Sequence, residues 1–313
     1  MTTTAPPAVK AKQRPGDRWF SGTALAAGSM ILVTLAAVAI FLIIQSIPGI
    51  SATSEDASIL STNFWDYVWP LAFGTVWASL LALLMAVPLS VGVALFISHY
   101  APRRLAQSLG YIVDLLAAVP SVVFGLWGIL VLAPAVQPVY VWFTTNMGWF
   151  PLFAGEASAT GRTIFTAAMV LAVMVTPIIT AICREIFLQT PVLHEEAALA
   201  LGATRWEMIK MAVFPFGRSG IVSAAMLGLG RALGETMAVA LVLSASGVIT
   251  FRLFTSTNPS TIPANIALTF PEAYGTNINV LIATGLILFI VTFAVNALAR
   301  WIVSRRKEFS GAN

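Results

Sequence analysis

Apolar residues fall in long continuous runs along this chain, with little of the period-3.6 or period-2 alternation that marks a half-buried helix or strand. Six runs stand out, at about 20–47, 70–98, 106–136, 163–183, 219–249 and 278–299. A helix needs about 20 such residues to cross roughly 30 Å of hydrocarbon. The pattern therefore predicts an all-α integral membrane protein with about six transmembrane helices. The first run ends at Pro48-Gly49. It is too long for the apolar core of a signal peptide and no clear small-residue cleavage site follows, so it reads as a retained helix. Pro88, Pro120 and Pro177 lie inside runs and predict kinks whose freed carbonyls need partners in neighbouring helices or water. Asp114 falls inside the third run, about two turns from its start, where hydration or a backbone donor suits it better than a transport role.

The polar stretches divide the chain further. Residues 1–20 are rich in Thr, Ala, Pro and Lys and predict a disordered tail. The first helix and an external loop occupy 21–70, the main membrane domain 71–300, and a basic tail 301–313. The loop at 49–67 carries Glu55, Asp56 and Asp66 but no base. A longer external segment, 138–161, holds Trp142, Phe143, Trp149 and Phe150, a composition that favours the headgroup region and predicts an interfacial or partly re-entrant piece.

Composition agrees with this reading. Apolar residues make up 58% of the 313 positions and charged residues 10%, against about 25% for a soluble domain. A net charge of +4 raises nucleic acid as a partner, but the basic residues sit at the ends of apolar runs rather than on one folded face, so no nucleic-acid partner is expected. Fourteen of the seventeen bases fall on one side of a six-span topology: Lys10, Lys12, Arg14 and Arg18; Arg103 and Arg104; Arg184, Arg205, Lys210 and Arg218; Arg300, Arg305, Arg306 and Lys307. Arg162 and Arg252 fall opposite and Arg231 within a span. Lys and Arg are retained in the cytoplasm, which predicts that both termini are cytoplasmic. With one cysteine, Cys183, and two histidines, His99 and His194, the chain offers no disulfide framework and no expected metal, haem or iron–sulfur site.

The stretch between the fourth and fifth runs, 191–215, differs from an ordinary connection. Pro191 followed by Glu195 and Glu196 suits a helix start, and Ala197 to Leu201 are strong helix formers. Gly202 is placed to end that helix in a left-handed conformation. A second helix then carries Trp206, Ile209 and Val213 on roughly one face until Pro215 stops it. The product is a helix–turn–helix with an apolar face for a partner's groove, or else a helix pair packed on its own bundle. Glu196-Ala197-Ala198, Gly202 and Pro215 have the spacing of the EAA loop, and here the chain resembles the permeases of ABC importers. Ala212 and Phe214 stand where that pattern more often has Ile and Leu. The resemblance implies a type I importer permease fold over 71–300 and docking of this loop on an ATP-binding subunit. None of the four lysines sits in a phosphate-binding G-x-x-x-x-G-K-[ST] loop, so ATP and Mg would be bound by a separate chain and no cofactor by this one.

The fifth run contains Gly230-Arg231-Ala-Leu-Gly234-Glu235-Thr-Met. Arg231 lies about 18 Å from Ser219 along a helix, near the middle of a bilayer. An Arg at such a depth costs about 2.5–3.5 kcal/mol on insertion scales, so it is expected to face a polar interior. Glu235, four residues on, shares its helical face and is within reach of an ion pair. Gly230 and Gly234 would admit a neighbouring helix closely. The Arg fork matches a tetrahedral oxyanion, while a carboxylate accepts from a protonated one. The pair reads as a weak station on a substrate path, or as a buried strut between helices. This stretch, with Ala118-Val-Pro-Ser-Val-Val-Phe-Gly125, narrows the resemblance to phosphate-importer permeases of the PstC type, over about 71–300. The paired PstA type shares related features. That resemblance implies phosphate as substrate, a PstA-like second permease, a dimer of ATP-binding subunits, an extracytoplasmic phosphate-binding protein, and a bacterial inner-membrane location. Outside the resemblance, an ion-driven anion carrier would also place charges mid-membrane but gives the 191–215 loop no role. A membrane enzyme or redox subunit lacks both a nucleophile–base cluster and haem ligands.

Overall fold

The computed structural model of the protein describes residues 15–307, and among these the regular structure is helical. Six helices or helix runs have membrane-crossing length and apolarity: Trp19–Ile50, Phe64–Tyr100, Ser121–Met147, Ile164–Leu188, Arg205–Leu233 and Thr276–Trp301. The six-span expectation is met. Residues 1–14 of the expected N-terminal tail, and 308–313 of the C-terminal one, lie outside the described residues; Pro15 to Phe20 already belong to the first helix, α1 (Pro15–Ile50).

Local chemistry sets the helix starts. Before α2 (Phe64–Leu95), Asn63 accepts from the Asp66 N–H at 3.0 Å, which begins this helix about six residues earlier than its apolar run indicates. A five-residue π turn, Phe96–Tyr100, extends it. The third span differs from expectation. Arg103–Ala117 forms a separate amphipathic helix, α3, and Ala118 to Pro120 break the chain, with Pro120 as the N-cap of α4 (Ser121–Trp127). Proline has no N–H to donate and disfavours a helical residue before it, so helical hydrogen bonding restarts after it. The crossing itself is α4, a π turn over Gly128–Leu132, and α5 (Ala133–Met147). Asp114 is thus exposed on α3 and lies outside the span. The first half of the expected external segment is likewise the end of the third span.

The rest of that segment folds against the bundle. Ser158 donates to the Phe254 carbonyl at 2.8 Å, and Leu253 to the Leu152 carbonyl at 2.9 Å. Phe254 anchors an aromatic cluster, with ring centroids 4.5 Å from Tyr140, 5.1 Å from Phe153 and 5.6 Å from Phe143. Phe143 therefore packs inside the fold, while Trp142 and Trp149 remain exposed.

The core lies around α6 (Ile164–Leu188), whose Ile164, Leu171, Met174, Val175, Ile179 and Phe187 are buried. It starts at Thr163, whose hydroxyl accepts from the Thr166 N–H at 3.2 Å. α2 crosses it, and Ser90 donates to the Thr176 carbonyl at 3.1 Å. Pro88 and Pro177 sit within unbroken helices. α9 (Phe214–Leu233) packs on α6 through small residues: a Cβ added to Gly228 would lie 2.6 Å from Ile179 Cδ1, and one added to Gly217 3.1 Å from the Phe187 ring. Lipid tails give apolar helices no drive to associate, so close backbone approach and van der Waals packing carry this contact. α1 stands at the periphery against the last helix, α12 (Thr276–Lys307), which follows the short α11 (Ile262–Thr269); there the Asn279 amide donates to the Gln45 carbonyl at 2.9 Å.

Candidate functional site

At the bundle end where α2 and α6 terminate, residues 192–213 build the connection to α9. α7 (Val192–Ala200) begins after Pro191 and ends in a two-bond turn: Gly202 N–H donates to the Leu199 carbonyl at 3.0 Å and Ala203 N–H to the Ala198 carbonyl at 3.2 Å. Gly202 has φ +85°, the left-handed conformation expected for it. α8 (Arg205–Met208) then starts with a reciprocal cap: Glu207 N–H donates to the Thr204 hydroxyl at 3.3 Å and Thr204 N–H to the Glu207 carboxylate at 2.8 Å. The Thr-x-x-Glu spacing is a readable helix-start signal that the sequence reading passed over.

Pro215 does not stop the second helix. A π turn, Ile209–Val213, runs straight into α9, where Pro215 occupies the first turn. The missing proline N–H and its ring are accommodated by widening the turn before it. The expected single face also divides: Ile209 and Val213 are buried in the bundle while Trp206 is 50% exposed. Ala198 is buried, and His99 at the end of α2 reaches Glu195 at 3.3 Å, so the loop is fastened to the helices behind it. Facing away are Glu196 and Ala197 together with Val192, Leu193, Leu201 and Trp206, with Leu201 89% exposed.

The fifth span ends sooner than its apolar run. α9 stops at Leu233, Gly234 caps it, and a separate short helix, α10 (Met237–Val242), follows. Arg231 therefore sits in the last turn of α9 rather than mid-helix. Glu235, past the break, is not on its helical face, and no ion pair joins the two among the described residues. Glu235 is buried, and its carboxylate accepts from the Ala238 N–H at 3.1 Å, placing negative charge at the start of α10. At the other end of α10, Arg162 donates to the carbonyls of Leu241 at 3.1 Å and Val242 at 3.4 Å. Buried Asn258 joins the neighbouring segments, accepting from Ile164 N–H at 3.0 Å and donating to the Ser244 carbonyl at 3.2 Å. Arg162 and Asn258 were missed because neither stands in a motif; each acts on backbone groups brought near only by folding.

Arg231 opens onto a cavity of about 1020 Å³ between α9 and α12. Its α9 wall is one helical face, Ser219, Ser223, Met226, Gly230 and Arg231 among it; Ile178 of α6 and Asn296 and Arg300 of α12 complete it. No carboxylate among the described residues lines this space. The Arg231 Nε is buried without a hydrogen-bond partner among the described residues. Gly230 meets no neighbouring atom within 4 Å of an added Cβ, and Gly234 meets only the chain's own backbone, so these glycines leave room beside Arg231; the close helix contact falls instead at Gly217 and Gly228.

Membrane-length helices, a fastened but outward-facing loop and a basic internal groove define a membrane transport subunit, and comparison with known proteins agrees. Residues 86–308 match the family of binding-protein-dependent transport system inner membrane components, and the chain belongs to that family. It is 48% identical to phosphate transport system permease protein PstC 2 of Mycobacterium tuberculosis, over 96% of each chain. The PstC proteins of Mycobacterium leprae and Mesorhizobium japonicum are 46% and 40% identical over more than nine-tenths of each chain. In fold, it resembles a bacterial ABC transporter involved in the import of the acidic polysaccharide alginate, with TM-score 0.61 and 18% identity over 92% of this chain and 96% of that one. The chain is thus a multi-pass transporter subunit, and ATPase activity lies on a separate polypeptide. Membership of a binding-protein-dependent transport family makes that ATPase and a substrate-binding protein its partners.

Proposed function

We propose that this chain is the phosphate-conducting permease of an ATP-driven importer, paired with a PstA-like second permease. The likeness to PstC proteins supports phosphate as the substrate. The observation that carries the path is Arg231, which lines a cavity with no carboxylate among the described residues and keeps a buried Nε–H without a partner among them. An unpaired buried donor is costly, and a turn of this side chain toward an oxyanion in the cavity relieves it. Glu235 holds the α9–α10 break in shape and adds negative charge beside the path, which favours protonated over fully ionised phosphate.

The distribution of Lys and Arg supports a cytoplasmic position for both termini. The 191–215 loop then faces a dimer of ATP-binding subunits, which hold ATP and Mg. Glu196, Ala197 and the exposed Leu201 and Trp206 form the contact, Ala198 and the His99–Glu195 link pass its motion to the bundle, Gly202 shapes the turn, and Pro215 in the first turn of α9 joins the loop to the fifth span. Closure of the ATP-binding dimer rocks the helices between outward and inward openings after an extracytoplasmic phosphate-binding protein delivers its cargo. An ion-driven carrier would give that loop no work. Arg231→Gln in the reconstituted transporter tests the path: loss of phosphate uptake with intact assembly and ATPase supports it, whereas loss of assembly makes Arg231 a strut.

A further inference from the structure

We infer that Arg300, with Asn296, Ser219 and Ser223, forms a second oxyanion station in the groove that holds Arg231. The inference rests on the proposed path and extends it toward the loop end of the bundle. α9 and α12 belong to consecutive spans and therefore run in opposite directions. Ser219 and Arg231 are both on its wall, twelve residues apart and so about 18 Å along the helix. Arg300 lies seven residues before Lys307, where α12 ends, and thus toward the Ser219 end. A phosphate is much shorter than that rise, so a group at the Ser219 end serves a position separate from that of Arg231.

The side chains at this end suit an oxyanion. Arg300 Nε donates to the Asn296 carbonyl at 3.4 Å, which steadies its stem and leaves the two terminal nitrogens for a ligand. Asn296 is half-buried, and its amide makes no hydrogen bond among the described residues. The Ser223 hydroxyl donates to the Ser219 carbonyl at 2.8 Å and keeps its lone pairs for a protonated phosphate oxygen. Polar side chains are expensive against lipid, and here Asn, Ser and Arg from two helices converge on one groove. Two weak positive stations in series also let an ion enter without being trapped, because a second site draws it off the first.

A tetrahedral phosphate group can be free in transit or can belong to an anionic lipid; the proposal is the free ion. The test is labelled phosphate uptake by the complete transporter, with its binding protein and ATP, in vesicles of purely zwitterionic lipid and in vesicles containing phosphatidylglycerol. Arg300→Gln is expected to lower uptake about tenfold in both, with partial recovery in Arg300→Lys. Unchanged uptake in both overturns the station, and a defect confined to phosphatidylglycerol vesicles reassigns it to a lipid headgroup. Arg231→Gln run alongside separates the two claims: normal uptake there with a defect in Arg300→Gln removes the first station and keeps the second, and the converse removes only the second. Ser223→Cys supplies a readout independent of Arg300 folding. Because Cys183 is buried, an anionic thiol reagent reports the new side chain. Millimolar phosphate, compared with chloride, should slow its modification at least threefold, and no protection overturns the proposal.

Discussion

Arg231 and Glu235 are four residues apart, yet the chain gives them different surroundings. The helix ends between them at Leu233, so Arg231 faces the cavity while Glu235 turns to the first turn of α10. The carboxylate satisfies an otherwise orphaned N–H there, a contact worth about 1 kcal/mol at a helix start. Glu235→Gln keeps an acceptor for Ala238, so its thermal midpoint in the solubilised complex should stay near that of the wild type. Glu235→Ala should fall by the equivalent of about that 1 kcal/mol. Equal midpoints for the two variants would contradict the cap. Arg231→Gln removes the positive charge but keeps a polar side chain of similar reach, so uptake should drop without loss of assembly, as uptake and co-purification together would report.

At the level of elements, the tight places are the α7–α8 turn and the α6–α9 crossing. Gly202 has open space around a would-be Cβ, so Gly202→Val introduces conformational strain rather than a clash, about 1–2 kcal/mol for a left-handed residue carrying a side chain. Uptake should fall while ATPase activity persists; normal uptake would argue against a coupling role. Gly228→Leu pushes directly into Ile179, and overpacking of that kind costs about 1–3 kcal/mol. It should lower the yield of assembled complex, measured by size-exclusion chromatography, and a normal yield would show that the crossing can spread. Hydrophobic runs long enough for lipid made the six spans legible, and Gly202 was legible because few residues adopt a positive φ. The break at 118–120 was hidden because α3 is apolar enough to merge with the span after it, although Pro120 marked the spot. The break at 234–236 was hidden because Gly, Glu and Thr are each tolerated in a helix, and only the Ala238 contact shows why the chain turns. The i,i+4 pairing of Arg231 with Glu235 failed for that reason. The cavity wall was half legible: Arg231 stood out, but Ser219, Ser223, Asn296 and Arg300 acquire meaning only when α9 and α12 come together.

Across the whole molecule, two surfaces have opposite characters. Around α6 the helices close on one another with Gly and Ala at the contacts, giving a close-packed core. At the loop end, Leu193, Leu201 and Trp206 are exposed apolar side chains on a segment tied back through His99 and Ala198. A surface fastened behind and bare in front transmits a push, provided another protein covers it. The most direct test of that claim is phosphate uptake by vesicles containing this chain, its permease partner and the ATP-binding subunits, with binding protein outside and ATP inside. Uptake is predicted to require ATP and to fall to background when Leu201 and Trp206 are both replaced by Asp, with the ATP-binding subunits then lost from the purified complex. Phosphate accumulation that proceeds without ATP, or in vesicles lacking the ATP-binding subunits, would contradict the account.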